Sequence, residues 1–192
     1  MKLAHPLFVA TVLTSSLSHA NTQWSGELML GFAEQELSDS NLSISGDDRS
    51  FGARLTYAFN TSFAIEFSYQ NYGEAEDTFV DSFGDTIKDK WESDALSVGI
   101  KGSLPIGEDF NLIGRLGISK WDIKFTETDS AFSGEIFSAT DERNDIYAGV
   151  GIEFNINETI FSNIEFTMTN METKYDIDNE VSNIAISIGK KF

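Results

Sequence analysis

From residue 24 onward, apolar side chains recur at every second position in eight separate stretches. Alternation of this kind sends successive side chains to opposite faces of an extended strand, so each stretch predicts a β-strand with one oily face. The predicted strands cover about 24–33, 50–60, 62–71, 94–104, 110–120, 145–155, 159–169 and 182–192. Each has the roughly ten residues that cross a bilayer at a tilt. Leu28, Leu30 and Phe32 share one parity in the first strand, Phe63, Ile65 and Phe67 in the third, and Ile184, Ile186 and Ile188 in the last. Along the central residues of the eight strands, the polar members of that parity are Ser162 and Lys190. None is acidic, in a chain with 31 acidic residues.

The opposite parity carries Glu27, Arg54, Glu66, Lys101, Arg115, Glu153, Glu165 and Lys191 among Gly, Ser, Ala and Thr, four acids against four bases. A face open to water needs no such balance, whereas a confined interior penalises every unpaired ion by several kcal/mol. The balance therefore favours a sheet closed into a barrel with its ionic face inside. Connection lengths supply the topology. "NTS", "PIGED" and "NINE" follow the second, fourth and sixth strands as short turns, while the intervals at about 33–49, 71–93, 121–144 and 170–181 are predicted as long loops. This alternation predicts an all-β, eight-stranded antiparallel up-and-down transmembrane barrel, with tight periplasmic turns, four long extracellular loops and both termini periplasmic. Trp24, Phe59, Phe63, Phe110, Phe154 and Phe192 would form one aromatic rim, and Phe32, Phe51 and Tyr69 the other. A soluble lipocalin-type barrel, with the oily parity inside around a ligand, is the alternative fold.

The first residues stand outside this pattern. Lys2 precedes an apolar run from Leu7 to Leu13 that is too short to span a bilayer, and Ser18-His19-Ala20 forms a small-residue cleavage site. Residues 1–20 are therefore expected to be a secretory signal peptide and residues 21–192 the barrel domain. His5 and His19, the only histidines, would leave with the signal, and the chain has no cysteine. The mature protein would then have no imidazole, no thiol and no disulfide. A net charge of -18 argues against nucleic acid as a partner. Most of the acidic residues fall in the long intervals, as in "EAEDTFVDSFGDTIKDKWESD" at 74–94. Such segments are well solvated, and they also suit divalent cations that bridge anionic lipopolysaccharide. "DIDNE" at 176–180 lacks the central Gly and the later Glu of a calcium loop, so no metal ligands are assigned.

Three stretches look like one known family. "SVGIKGSLPIGEDFNLIGRLGISKWD" at 97–122, "YAGVGIEFNINETIFSNIEFTMTN" at 147–170 and the closing "AISIGKKF" resemble the transmembrane domain of the OmpA outer-membrane protein family. The resemblance covers Trp24 to Phe192. It implies a charged network that plugs the lumen, with Glu66, Lys101, Arg115, Glu153 and Glu165 at the family's inward charged positions. It also implies a C-terminal signal, Ile186, Ile188 and Phe192, recognised by the barrel-assembly machinery. The family commonly has an inward arginine where this chain has Asn163, and an aromatic where it has Lys190. Ending at Phe192, the chain is expected to lack the periplasmic peptidoglycan-binding domain of larger members.

Small outer-membrane barrels that are enzymes lean on a histidine as general base, so an enzyme is not expected. Glu153 and Glu165 are expected to pair with Lys101 and Arg115 rather than to act as a catalytic dyad. No cofactor is implied. The first expectation is a structural barrel in outer-membrane lipid and lipopolysaccharide, anchoring acidic surface loops and supporting membrane integrity. Two alternatives stay open. One is a surface binding module for a host surface, a phage or lipopolysaccharide. The other is a narrow channel, which the small bore of eight strands and inward Met29, Ile113, Tyr147 and Phe161 disfavour.

Overall fold

The computed structural model describes residues 23–39, 42–132, 135–173 and 178–192. Eight strands follow one another: β1 (Trp24–Asp39), β2 (Leu42–Ala58), β3 (Phe63–Val80), β4 (Thr86–Pro105), β5 (Phe110–Asp129), β6 (Glu135–Asn155), β7 (Ile160–Glu172) and β8 (Asp178–Lys191). Each pairs antiparallel with the next, and β1 meets β8 from Ser25↔Lys191 to Ser38↔Asp178, closing the barrel. Closure pairs every strand on both sides next to the short turns, whereas β2–β3 pairing ends at Phe51↔Asn71 and β6–β7 pairing at Tyr147↔Thr169. At one end the chain turns tightly through 59–62, 106–109 and 156–159. Asn60 and Asn157 organise two of these turns, their side-chain oxygens accepting from the amides of Phe63 and Ile160 at 2.9 Å. The predicted signal segment lies outside the described residues.

The four intervals expected to be long loops are largely strand instead. Strand continues to Asp39, Val80, Asp129 and Glu172 and resumes at Leu42, Thr86, Glu135 and Asp178. The strands reach 13 residues in β7 and 21 in β6, far beyond the predicted ten or so. The reason, clearest on β4 and β5, is a reversal of polarity along the strand. On β4, Leu96, Val98 and Ile100 point outward and are exposed, while Lys88, Lys90 and Glu92 occupy the same outward parity further along. The inward parity changes the other way, from Lys101 to Ala95, Trp91 and Ile87. Alternation continues throughout, but its sign flips near residue 95. A reading keyed to outward oily residues stops at the flip.

β3 contains one interruption. Its register with β4 shifts between Asn71 and Glu74, where Gly73 has φ +81°. That backbone region is open to glycine and rarely to other residues. The bulge changes the inward parity from Tyr72 to Ala75, so both side chains enter the interior, each at 6% exposure or less. Two stacked interiors result. Next to the long hairpins lies an apolar core of Tyr72, Trp91, Trp121, Met171 and Val181, with Leu37 and Phe125 packed against it. Next to the short turns lies an ionic one.

Candidate functional site

The ionic interior is built by four rules of strand geometry acting together: inward parity, register, reach and the absence of competing bulk. Arg54 on β2 and Glu27 on β1 are direct cross-strand partners, and Arg54 Nη1 donates to Glu27 Oε1 at 2.5 Å. The same guanidinium crosses the lumen to Glu165 on β7, with Nη2 to Oε1 at 2.7 Å and Nη1 to Oε2 at 3.1 Å. Arg115 on β5 donates from Nε to Glu165 Oε2 at 2.9 Å and from Nη1 to Glu66 on β3. Glu165 is thus gripped by two arginines from opposite sides. Planar guanidinium forks suit such multidentate carboxylate contacts.

Three carboxylates against two guanidiniums leave this cluster one charge negative, and neutral donors complete it. Asn163 Nδ2 donates to Glu27 Oε2 at 2.8 Å, and the Tyr147 hydroxyl donates to Glu66 Oε1 at 2.9 Å. Tyr147 reaches Glu66 along a single cross-strand row: Tyr147↔Gly117, Gly117↔Gly99, Gly99↔Glu66. The two glycines are a requirement of this route, since a Cβ on Gly117 would lie 2.5 Å from the Tyr147 ring and one on Gly99 closer still to its hydroxyl. Glu66 is fully buried and the two arginines nearly so. Burial at this depth is tolerable only because every ion has partners.

Nearer the short turns, Lys101 donates to Glu153, which also accepts from Asn111 Nδ2 at 3.3 Å. Lys191 donates to Asn155 Oδ1 at 2.7 Å. Both ammonium groups stand 5.7 Å from the Phe161 ring centre. Lys101, Asn111, Glu153, Phe161 and Lys191 line a vestibule of about 670 Å³ that opens at the short-turn end. Beyond it the lumen is filled, first by the arginine–glutamate cluster, with Met29 and Ile113 beside it, and then by the apolar core.

The five charges singled out in the sequence therefore fall into two groups. Glu66, Arg115 and Glu165 meet at the centre, while Lys101 and Glu153 form a separate pair. Arg54 and Glu27, which share the inward parity without belonging to the resemblance's charged positions, are central to the network. In the sequence, only the balance of four against four points to them. Ile186 and Ile188 are exposed on the outward face, and the Phe192 amide donates to the Trp24 carbonyl at 2.9 Å. Trp24, Tyr57 and Phe59 pack ring to ring at that rim, as do Phe110 and Phe154. Among the described residues, no group of three or more carboxylates converges as metal ligands would.

Residues 7–192 match the family model described as the outer membrane protein beta-barrel domain. The chain belongs to that family. In an outer-membrane barrel the outward band of Leu, Ile, Val and Phe meets acyl chains, where such side chains are stable and a closed barrel leaves no backbone group unpaired. Solved structures agree on the fold. Ail, the attachment invasion locus protein of Yersinia pestis, solved with the heparin analogue sucrose octasulfate, is 18% identical. The match covers 88% of this chain and 99% of that one, with a TM-score of 0.56. The N-terminal β-barrel domain of Pseudomonas aeruginosa OprF, an OmpA-type barrel, is 12% identical over 87% and 97% of the two chains, with a TM-score of 0.55. The outer membrane protease OmpT of Escherichia coli is 9% identical over 92% and 99%, with a TM-score of 0.50. At such identities only the fold is shared. No curated protein matches the sequence as a relative.

Proposed function

We propose that this outer-membrane barrel is a sealed structural anchor. It holds four β-hairpins at the cell surface and ties them into the lipid and lipopolysaccharide around it. The observation that carries this reading is the double closure of the lumen: the Arg54–Arg115–glutamate cluster and, beyond it, the core around Trp91 and Trp121. In this reading the short-turn end and both termini face the periplasm, and residues 1–20 are removed on export. Ile186, Ile188 and Phe192 serve as the signal for the barrel-assembly machinery. The interior charges act as structural pairs and not as a catalytic dyad, because each carboxylate is already engaged by cations and neutral donors.

Purified barrel in planar bilayers is expected to give no discrete conductance steps. Steps that change in the Arg115→Ala protein would replace this reading with a narrow channel. Surface proteolysis of intact cells should cut within the hairpins at 81–85 and 130–132 and spare the rest of the strands. Protection of both hairpins, with cleavage at 106–109, would invert the orientation.

A further inference from the structure

β3 to β6 are the longest strands of the barrel, 18 to 21 residues against 13 to 17 in the other four. Beyond the polarity reversal, β3, β4, β5 and β6 continue to Val80, Thr86, Asp129 and Glu135, while β7 and β8 meet at Glu172 and Asp178. The two longer hairpins are fastened together at their tips. The Thr86 amide donates to Ser130 Oγ at 2.8 Å, and the Ser130 amide to the Thr86 carbonyl at 3.0 Å. They form one four-stranded platform whose inward parity looks across the barrel mouth.

That face carries rows set by register. Asp77, Asp89 and Glu127 are direct cross-strand neighbours on three adjacent strands, and Phe137 continues the row on β6. Above it runs Phe79↔Ile87, and below it Ala75↔Trp91↔Phe125. A line of three like charges across neighbouring strands works against sheet stability unless something neutralises it. The lysines of the platform do not. Lys88 and Lys90 belong to the outer parity, where they pair with Glu74 and Glu76. Among the described residues, no salt bridge includes Asp77, Asp89 or Glu127.

Asp89 adds an independent sign. The residue is 9% exposed and its Oδ1 atom has no hydrogen-bond partner. Burial, then Glu127 and Asp77, raise its carboxyl above the ordinary range. Buried acids without partners are rare and call for an explanation. Beside the row, Phe137 is 53% exposed and Phe79 46%, and the Phe125 and Phe137 ring centres lie 6.2 Å apart.

We propose that this acidic row between aromatic rings receives a lysine or arginine side chain of a partner polypeptide. The apolar rows suit the methylene stem of such a side chain, and the carboxylates suit its head. Carboxylates spread along a row, rather than converging on a point, favour an extended organic cation over a metal ion. Tip residues Phe83 and Phe132, 90% and 65% exposed, supply apolar contact around the docked segment. Because the two hairpins are already joined, little ordering is needed on binding. The partner is then a basic protein segment, not a polyanion.

The biological use of this site rests on the hairpins facing out of the cell, but its chemistry does not. The test therefore uses purified full-length barrel in detergent, separately from surface proteolysis. A fluorescein-labelled octapeptide of alternating arginine and leucine is titrated at about 150 mM salt, where screening acts over about 8 Å. The Asp89→Asn/Glu127→Gln protein should bind on the order of tenfold more weakly. A control protein with Glu34→Gln and Glu180→Gln, which removes equal charge from the outer face, should bind within about twofold of the parent. Phe137→Ser, at an exposed position, should also weaken binding, and all variants should retain heat-modifiable migration. Equal losses in the two double variants would reduce the interaction to net charge and overturn the proposal. Unchanged affinity would overturn it too. Millimolar calcium that displaces the peptide from the parent and binds with the same dependence on Asp89 would make the row a divalent-cation site instead.

Discussion

The two halves of this barrel are made by one backbone pattern with opposite chemistry. Around the band, oily residues such as Leu116 point out and ions such as Arg115 point in. Four to eight residues further along the same strand, the outward positions hold Lys120, Asp122 and Lys124, and the inward ones Trp121 and Ile123. The difference is what surrounds each half. Acyl chains make an outward charge costly, so the polar parity is enclosed and must neutralise itself. Water makes an outward charge favourable, and there the hydrophobic effect gathers apolar residues inside. A hydrophobic pattern reports the solvent as much as the fold.

The comparison is broken most severely by unpairing the ionic half. Arg115→Ala strips Glu66 and Glu165 of a buried cation and should cost about 3–5 kcal/mol. Denaturant titration in detergent reads this loss directly, and a melting curve matching the parent would show that the cluster contributes little to stability. A smaller effect comes from placing the same cation on the two outer faces. Leu116→Arg, in the band, should cost about 2–4 kcal/mol, whereas Glu180→Arg, beyond it, should stay within about 0.5 kcal/mol. Equal costs would mean that the band does not meet lipid.

The smallest effect concerns Asp89, the buried acid in the water-facing half. Its folded-state carboxyl binds a proton more readily than in the unfolded chain. Stability contributed this way is fully present below the ordinary aspartate range and is lost as pH rises through the raised value. Asp89→Asn should therefore melt about 2 °C above the parent at neutral pH. That gap should close on acidification toward pH ~4. A gap that widens with acid would show Asp89 to be held as a stabilised anion.

Much of this was legible because a strand's period of two needs no tertiary context. Leu28, Leu30 and Phe32 declare a face by themselves, and "NTS", "PIGED" and "NINE" declare their turns. The long intervals are less legible for a definite reason: on β4 and β5 the alternation is reversed, with Trp91 and Ile87 hidden among Lys88, Lys90 and Asp89. The bulge at Gly73 also breaks the parity once within β3.

Parity could say that Arg54 faces inward, but not that it would share Glu165 with Arg115. That sharing joins β2, β5 and β7, which are not neighbours. Order along the chain determines which side each residue takes, since a pleated strand has only two. Which residues meet across the lumen depends on register, on where glycines leave room for Tyr147, and on closure of β1 against β8. Those are relations between distant strands, and they exist only once the ring is complete.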